Sequence, residues 1–90
     1  MAIFIVRTNI IGGEGTQRFF YLETAHETIG AFNRELRGGP VECVKLRAHH
    51  DQARGKMVVN ERSPFVIGPQ AVVTVEMATL PFVDAVGIAA

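Results

Sequence analysis

One segment of this chain repeats its apolar residues at helical spacing, and it limits the folds open to the rest. Its apolar residues follow one another at steps of 4, 3 and 4 positions: Ala25, Ile29, Phe32 and Leu36. That spacing places them on one face of a helix with 3.6 residues per turn. Thr24, followed three residues later by Glu27, has the pattern of a capping box, and Gly38-Gly39-Pro40 is typical of a helix end. The sequence therefore predicts a single amphipathic helix over residues 25–37.

The rest of the chain has the residue types of β-strands, with turns marked by glycine and proline. The five predicted strands cover residues 3–8, 16–22, 41–48, 56–60 and 71–77, and residues 65–67 have the composition of a short stub of strand. Gly12-Gly13-Glu14-Gly15 between the first two strands indicates a hairpin, since glycine supplies the positive φ of such turns. The first strand and the strand at 71–77 are apolar on both faces, which favours a central, parallel pair. The strands at 41–48 and 56–60 carry charges, which favours positions near the edges.

These elements predict one α+β domain with the order β-β-α-β-β-β. A single helix packs on one face of a mixed, mostly antiparallel sheet of four to five strands, an arrangement like a β-grasp. A chain of 90 residues has room for one hydrophobic core. We expect this domain to cover residues 1–79 and an apolar C-terminal tail to cover residues 80–90.

Two short segments carry a resemblance to a known family. Met1-Ala2-Ile3-Phe4 and the helix start Glu27-Thr28-Ile29 resemble ubiquitin-like proteins, as do the order and lengths of the elements from residue 3 to residue 77. The resemblance implies a β-grasp fold and a related style of docking on other proteins. It does not imply conjugation, because Val86-Gly87-Ile88-Ala89-Ala90 stands where that family has a terminal Gly-Gly.

Charge and cysteine content exclude several classes of function. Nine basic and nine acidic residues give a formal charge of zero, which excludes binding by bulk attraction to nucleic acid or to a membrane. The single cysteine, Cys43, excludes an internal disulfide framework and a cysteine-rich zinc site. No apolar run approaches the length that spans a bilayer. We expect a cytoplasmic protein that is not an enzyme, needs no cofactor and does not bind membranes.

The face of the sheet without a helix is the main candidate surface. The first two strands alternate apolar residues between their faces: Phe4 and Val6 with Ile3 and Ile5, and Phe19 and Tyr21 with Phe20 and Leu22. The pattern leaves open which set faces the helix, but either choice places an aromatic residue on the open face. A large apolar patch is seldom left exposed. The tail at 80–90, a second copy of the chain or a different protein would each cover it.

Basic residues are concentrated next to that surface. Lys45, Arg47, Arg54, Lys56 and Arg62 lie in a stretch whose acidic residues are Asp51 and Glu61. The candidate binding residues are therefore Phe4, Val6, Phe19, Tyr21, Lys45, Arg47, Arg54 and Lys56. They predict a protein-interaction or regulatory module, such as a small inhibitor or accessory subunit, that docks on a larger protein or on itself. The alternative is a module that binds single-stranded nucleic acid through the same aromatic and basic residues.

A third hypothesis is a metal-dependent enzyme. His49-His50-Asp51 is the one cluster in the sequence with side chains that suit zinc. Adjacent residues of a strand point to opposite faces, so the two histidines are poorly placed to share one ion. The sequence favours a solvated loop at this position over a metal site.

Overall fold

The helix separates a two-stranded hairpin from four further strands. The computed structural model of the protein describes residues 2–13, 15 and 17–85. The elements are β1 (Ala2–Ile11), β2 (Gln17–Thr24), α1 (Ile29–Arg37), β3 (Val41–Asp51), β4 (Lys56–Ile67), β5 (Val72–Met77) and β6 (Phe82–Asp84). The α+β class with one helix on a mixed sheet is confirmed. Among the described residues, no helix has the length and apolar character needed to cross a membrane.

The sheet has six strands in the order β5-β1-β2-β3-β4-β6. Every neighbouring pair is antiparallel except β4 and β6. The predicted parallel pairing of the first strand with the strand at 71–77 is therefore wrong. Val6 lies opposite Val75 in an antiparallel ladder, and β5 is an edge strand. The charged strands β3 and β4, which we expected near the edges, are interior. A four- to five-stranded β-grasp is thus not the topology of this chain.

The helix begins later than its apolar spacing predicts. Its first residue is Ile29, and the Thr28 hydroxyl caps it by accepting a hydrogen bond from the backbone N–H of Ala31 (3.1 Å). Thr24 ends β2 instead, where its hydroxyl both accepts from the N–H of His26 and donates to the carbonyl of His26. The predicted capping box fails because the Thr24 side chain closes this turn.

The main core lies between the helix and the sheet. Its buried members are Ala2, Phe4, Val6, Leu22, Phe32, Leu36, Val41, Cys43 and Ile67. Phe32 of the helix packs on Phe4, with ring centroids 5.3 Å apart. Phe4 and Val6 are 0% exposed, so these two predicted binding residues are core residues. Phe20 and Leu22 face the helix, which leaves Phe19 and Tyr21 on the other face.

Two predicted segments take a different form. The strands predicted at 56–60 and 65–67 are parts of one twelve-residue strand, β4, which pairs with β3 along its whole length. The pairing shifts by one residue between Arg47 and Ala48. The predicted tail contributes β6, which adds to the edge of β4 with Met57 opposite Phe82. Residues 86–90 of that tail lie outside the described residues.

Candidate binding cleft between two diverging strands

The sheet curls toward the face that carries no helix. Tyr21 on β2 and Phe82 on β6 have ring centroids 5.3 Å apart, although β3 and β4 lie between their strands. Neighbouring strands are about 4.8 Å apart, so three steps across a flat sheet would separate the two strands by roughly 14 Å. Only strong curvature brings the two rings into contact. Part of the helix-free face is therefore covered by the sheet itself.

A second, smaller core fills this curl. Leu46, Met57 and Val59 are buried there, with Val59 at 0% exposure, and none of them belongs to the core beneath the helix. β3 and β4 thus bury residues on the helix side at one end, where Val41 and Ile67 pair, and on the opposite side at the other end. The one-residue register shift between the two halves is a β-bulge, which bends a strand and increases its twist.

An arginine links the strands at the mouth of the curl. The Arg62 guanidinium on β4 donates to Glu23 on β2 (2.7 Å) and to Asp84 on β6 (2.7 and 3.2 Å). These hydrogen bonds and the two negative charges, against a smaller opposing effect of burial, raise the pKa of Arg62 above its ordinary value. The two carboxylates therefore stabilise the charged form of the guanidinium. The three residues form a clamp that holds β6 against the sheet.

The curvature separates β2 from β3 over half of their length. The two strands pair only between Tyr21–Glu23 and Val44–Leu46, and beyond that point they diverge around a cleft of about 340 Å³. The cleft is lined by Phe19, Phe20, Tyr21, Lys45, Leu46, Arg47, Ala48, Glu61 and Ser63. Four predicted binding residues meet here: Phe19, Tyr21, Lys45 and Arg47.

Beyond Tyr21 and Leu46, the backbone of both walls lies outside the β2–β3 ladder. The N–H of Ala78 donates to the carbonyl of Ile3. This bond establishes which residues of β5, β1 and β2 direct their backbone N–H and C=O groups to which neighbouring strand. Because these directions alternate along each strand, Tyr21 and Phe19 direct their N–H and C=O groups toward β3. Tyr21 pairs with Leu46, but the β2–β3 ladder does not include the next such position, Phe19 with Ala48. A strand edge whose backbone groups are open in this way is a template for pairing with a further strand.

The aromatic wall lies on the helix-free side. Phe19 is 48% exposed and packs edge-to-face on Tyr21, with centroids 5.5 Å apart. The Arg7 guanidinium lies 5.8 Å from the centre of the Phe19 ring. Tyr21 is therefore in contact with aromatic rings on two sides, Phe19 and Phe82, and Phe19 remains the accessible apolar side chain.

The basic wall lies on the helix side, so Lys45 and Arg47 do not share the helix-free face with Tyr21, which is the condition for a platform that stacks nucleic-acid bases. The Lys45 ammonium is 5.9 Å from the centre of the Phe20 ring and 5.5 Å from that of Phe65, both of which pack against the main core. No carboxylate of the described residues forms an ion pair with Lys45. The Arg47 side chain is 81% exposed and lies 3.9 Å from Glu61. Lys45 is thus a cation held near two aromatic rings, and no carboxylate among the described residues offsets its charge in an ion pair.

Arg54 and Lys56 lie apart from this cleft. They line a separate cavity of about 460 Å³ at the far end of the β3–β4 hairpin, together with His49, Asp51 and Asp84. The Arg54 side chain is 3.8 Å from Asp51 within the turn. The structure therefore divides the predicted basic group in two, and only its first half adjoins exposed aromatic surface.

The proposed metal cluster is not assembled. His49 forms a hydrogen bond between Nδ1 and the Asn60 Oδ1 atom (2.8 Å), whereas His50 pairs with Met57 on the opposite face. Within residues 2–13, 15 and 17–85, no three His, Cys, Asp or Glu side chains lie close enough together to hold a metal ion. Burial, and secondarily the charge of Glu35, raises the pKa of the Cys43 thiol to about 11. A thiol with so high a pKa is a poor nucleophile at neutral pH.

No protein family, curated protein or solved structure matches this chain. The cleft was not predictable from the motifs, because the sequence does not reveal where two adjacent strands stop pairing. The one available signal is the change of buried face along β3, from Val41 and Cys43 to Leu46. Such a change within one strand indicates a bend.

Proposed function

We propose that this protein is a non-catalytic binding module that docks on a larger protein by taking up an extended segment of it along the free edge of β3. The observation that carries the proposal is the early end of the β2–β3 ladder. It leaves backbone donors and acceptors of Phe19 and Ala48 facing a cleft with an apolar and a basic wall. Strand addition to an open edge is a common way of binding peptides, with backbone hydrogen bonds for affinity and side-chain pockets for specificity.

The side chains around the cleft favour a partner segment of particular composition. Residues opposite each other on adjacent strands interact directly, so a strand that pairs with β3 beyond Leu46 brings a side chain beside Arg47. Its end then approaches Lys45, which itself lies opposite Leu22. Glu61 offsets part of the Arg47 charge from a distance of 3.9 Å, whereas Lys45 has no ion-pair partner within the part of the chain that the structure describes. We expect acidic residues at those positions and an apolar residue against Phe19.

The geometry gives less support to single-stranded nucleic acid as the ligand. Modules of that kind stack successive bases on exposed aromatic faces. Here Tyr21 contacts Phe19 and Phe82, and the Phe19 ring is partly covered by Arg7. One accessible ring at the cleft and a net charge of zero offer nucleic acid few stacking contacts and little electrostatic attraction. Nucleic acid is therefore an outcome of the test below.

The test is a selection of random twelve-residue peptides displayed on phage, followed by measurement of the synthetic peptides by fluorescence polarisation. We expect the selected peptides to share acidic and β-branched residues. Lys45→Glu combined with Arg47→Glu should raise their Kd about tenfold or more, equivalent to about 1.4 kcal/mol. The matched control, Arg34→Glu with Arg37→Glu on the exposed side of α1, makes the same charge change away from the cleft and should alter Kd less than about twofold.

A backbone variant separates strand addition from charge attraction alone. Ala48→Pro removes an N–H that faces the cleft, and proline is tolerated at such edge positions. It should abolish peptide binding while the circular dichroism spectrum is retained. Peptide binding that survives Ala48→Pro would contradict strand addition. A dT20 oligonucleotide bound tightly with a steep salt dependence, with no peptides selected, would replace the proposal by its nucleic-acid alternative.

A further inference from the structure

The two edges of the sheet differ in how they are protected. The edge formed by β6 is three residues long, follows Pro81 and carries Asp84, which is clamped by Arg62. Short strands, proline and charge are the usual means by which proteins prevent edge-to-edge pairing. The edge formed by β5 is six residues long with the sequence Val-Val-Thr-Val-Glu-Met and contains neither lysine nor proline. Among the described residues, no strand pairs with its outer side.

The hydrogen-bonding groups of β5 alternate in a known direction. The bond from the N–H of Ala78 to the carbonyl of Ile3 (3.0 Å) directs Ala78 toward β1. Alternation along the ladder then directs Glu76 and Thr74 toward β1 as well, and directs Val75 and Met77 outward. Val75 therefore presents both its N–H and its C=O to any strand that approaches this edge.

The exposed apolar side chains of this edge have a symmetric spacing. Val73 is 53% exposed and Met77 is 43% exposed, and they lie two residues on either side of Val75. A two-fold axis through Val75 would place Val73 of one chain opposite Met77 of the other, with the two Val75 residues exchanging reciprocal hydrogen bonds. One antiparallel register thus pairs the outward backbone groups of Val75 and brings the two exposed apolar side chains together. Val73 is the residue that the register between β1 and β5 skips, so the regular part of this edge runs from Thr74 to Met77.

The charges of the edge do not oppose such a pairing. Glu76 is the only charged residue of β5, and Arg7 on the adjacent strand lies 3.8 Å from it. In the register centred on Val75, Glu76 lies opposite Thr74 of the second chain, so like charges do not face each other. The zero formal charge of the whole chain leaves little long-range repulsion between copies.

We infer that β5 is a self-association edge, at which two copies pair antiparallel about Val75 to form a continuous twelve-stranded sheet. The interface is distinct from the cleft between β2 and β3, which stays open in each copy. The interface is centred on one strand, so its buried area lies at the low end of the range for specific interfaces. We therefore expect a dissociation constant of the dimer in the micromolar range.

The first test measures mass by sedimentation equilibrium from about 5 to 500 µM. The wild-type mass should rise with concentration from 9.8 kDa toward twice that value. Val73→Lys with Met77→Lys should remain monomeric throughout. The matched control is Val66→Lys with Val83→Lys, which adds the same charge at exposed apolar positions on β4 and β6 and should still dimerise. A wild-type protein that is monomeric at 500 µM would overturn the inference, as would a dimer sensitive only to the control pair.

The second test determines the register. Val75→Cys should form an intermolecular disulfide under mild oxidation, because paired residues have Cα atoms about 5.5 Å apart, within the range for disulfides. Val73→Cys is the control, since its Cα lies about 14 Å from its own copy in this register. It should not cross-link efficiently although Val73 is exposed. The buried Cys43 should leave the wild type uncross-linked. Equal cross-linking of both variants would show random collision and would contradict the two-fold register.

Discussion

The contact between Phe82 and Tyr21 provides a direct test of the curled sheet. Phe82→Ala removes a partly buried ring that packs on Tyr21 across two intervening strands. The backbone of β6 keeps its own hydrogen bonds, from the N–H of Met57 to Pro81 and from the N–H of Ala85 to Val59. The substitution therefore isolates the side chain and leaves the strand in place.

The expected loss of stability follows from the partial burial of the ring. Truncating a fully buried phenylalanine costs about 3–5 kcal/mol, and an aromatic pair contributes about 0.5–1.5 kcal/mol of such a total. Because Phe82 is only partly buried, we expect about 2 kcal/mol. For a chain of this length that is a decrease in Tm of about 8–16 °C.

Tyr21 is a built-in spectroscopic probe for this contact. The chain has one tyrosine and no tryptophan, so tyrosine fluorescence reports on residue 21 alone. Urea unfolding followed by that fluorescence and by circular dichroism gives both the free energy and the local signal. Val83→Ala, a neighbouring side chain at 36% exposure, is the control and should cost less than about 0.5 kcal/mol. An unchanged Tyr21 signal with a stability loss no greater than that of Val83→Ala would refute the curvature.

Two further predictions concern charged and titratable groups. Arg62→Met should destabilise the protein by about 1–2 kcal/mol, since it removes charge-assisted hydrogen bonds to Glu23 and Asp84 at a site that is 28% exposed. A double-mutant cycle with Asp84→Asn should give a coupling energy of about 1 kcal/mol. A coupling energy of zero would show that Arg62 does not hold β6 through Asp84. Cys43 should react with a thiol reagent at pH 8 only after unfolding. Its pKa is raised from 9.0 to about 11 in the fold, so the folded state binds the thiol proton more tightly than the unfolded state does. The free energy of unfolding should therefore fall as the pH rises from about 9 to 11. Cys43→Val should flatten that decline, and an equal decline in the variant would show that Cys43 is not its cause.

Local periodicity in the sequence predicts the elements well because each depends on neighbouring residues. The stripe of Phe32 and Leu36 gave the helix and its buried face, and the end at Gly38 is where the sequence places it. The alternation in β3 correctly marks a strand with Lys45 and Arg47 on one side. The helix start was missed because Thr24 and Thr28 carry equivalent capping chemistry, and the choice between them depends on where β2 ends.

Strand order depends on contacts that no local pattern records. Two apolar faces on the strand at 71–77 suggested a central position, yet β5 is at the edge, where Val72 and Val75 pack beneath the helix side and Val73 stays exposed. The charged residues of β3 suggested an edge, yet their aliphatic stems and the aromatic rings of Phe20 and Phe65 let Lys45 occupy an interior strand with its ammonium at the surface. In such long side chains the aliphatic stem is buried while the charged end is accessible, so residue type alone does not predict the position of the strand.

The cleft and the curl have a common cause. β3 buries Val41 and Cys43 on one face and Leu46 on the other, whereas the fully buried residues of β2 lie on the helix side, so the two strands diverge where the buried face of β3 changes. β2 keeps Leu22 and Phe20 toward the helix, whereas β3 turns with β4 at the bulge between Arg47 and Ala48. The ladder between them must therefore end near Tyr21 and Leu46. The open backbone at Phe19 and Ala48 is a consequence of building two cores on opposite faces of one sheet, the second of which is bordered by the contacts of Arg62 and Phe82.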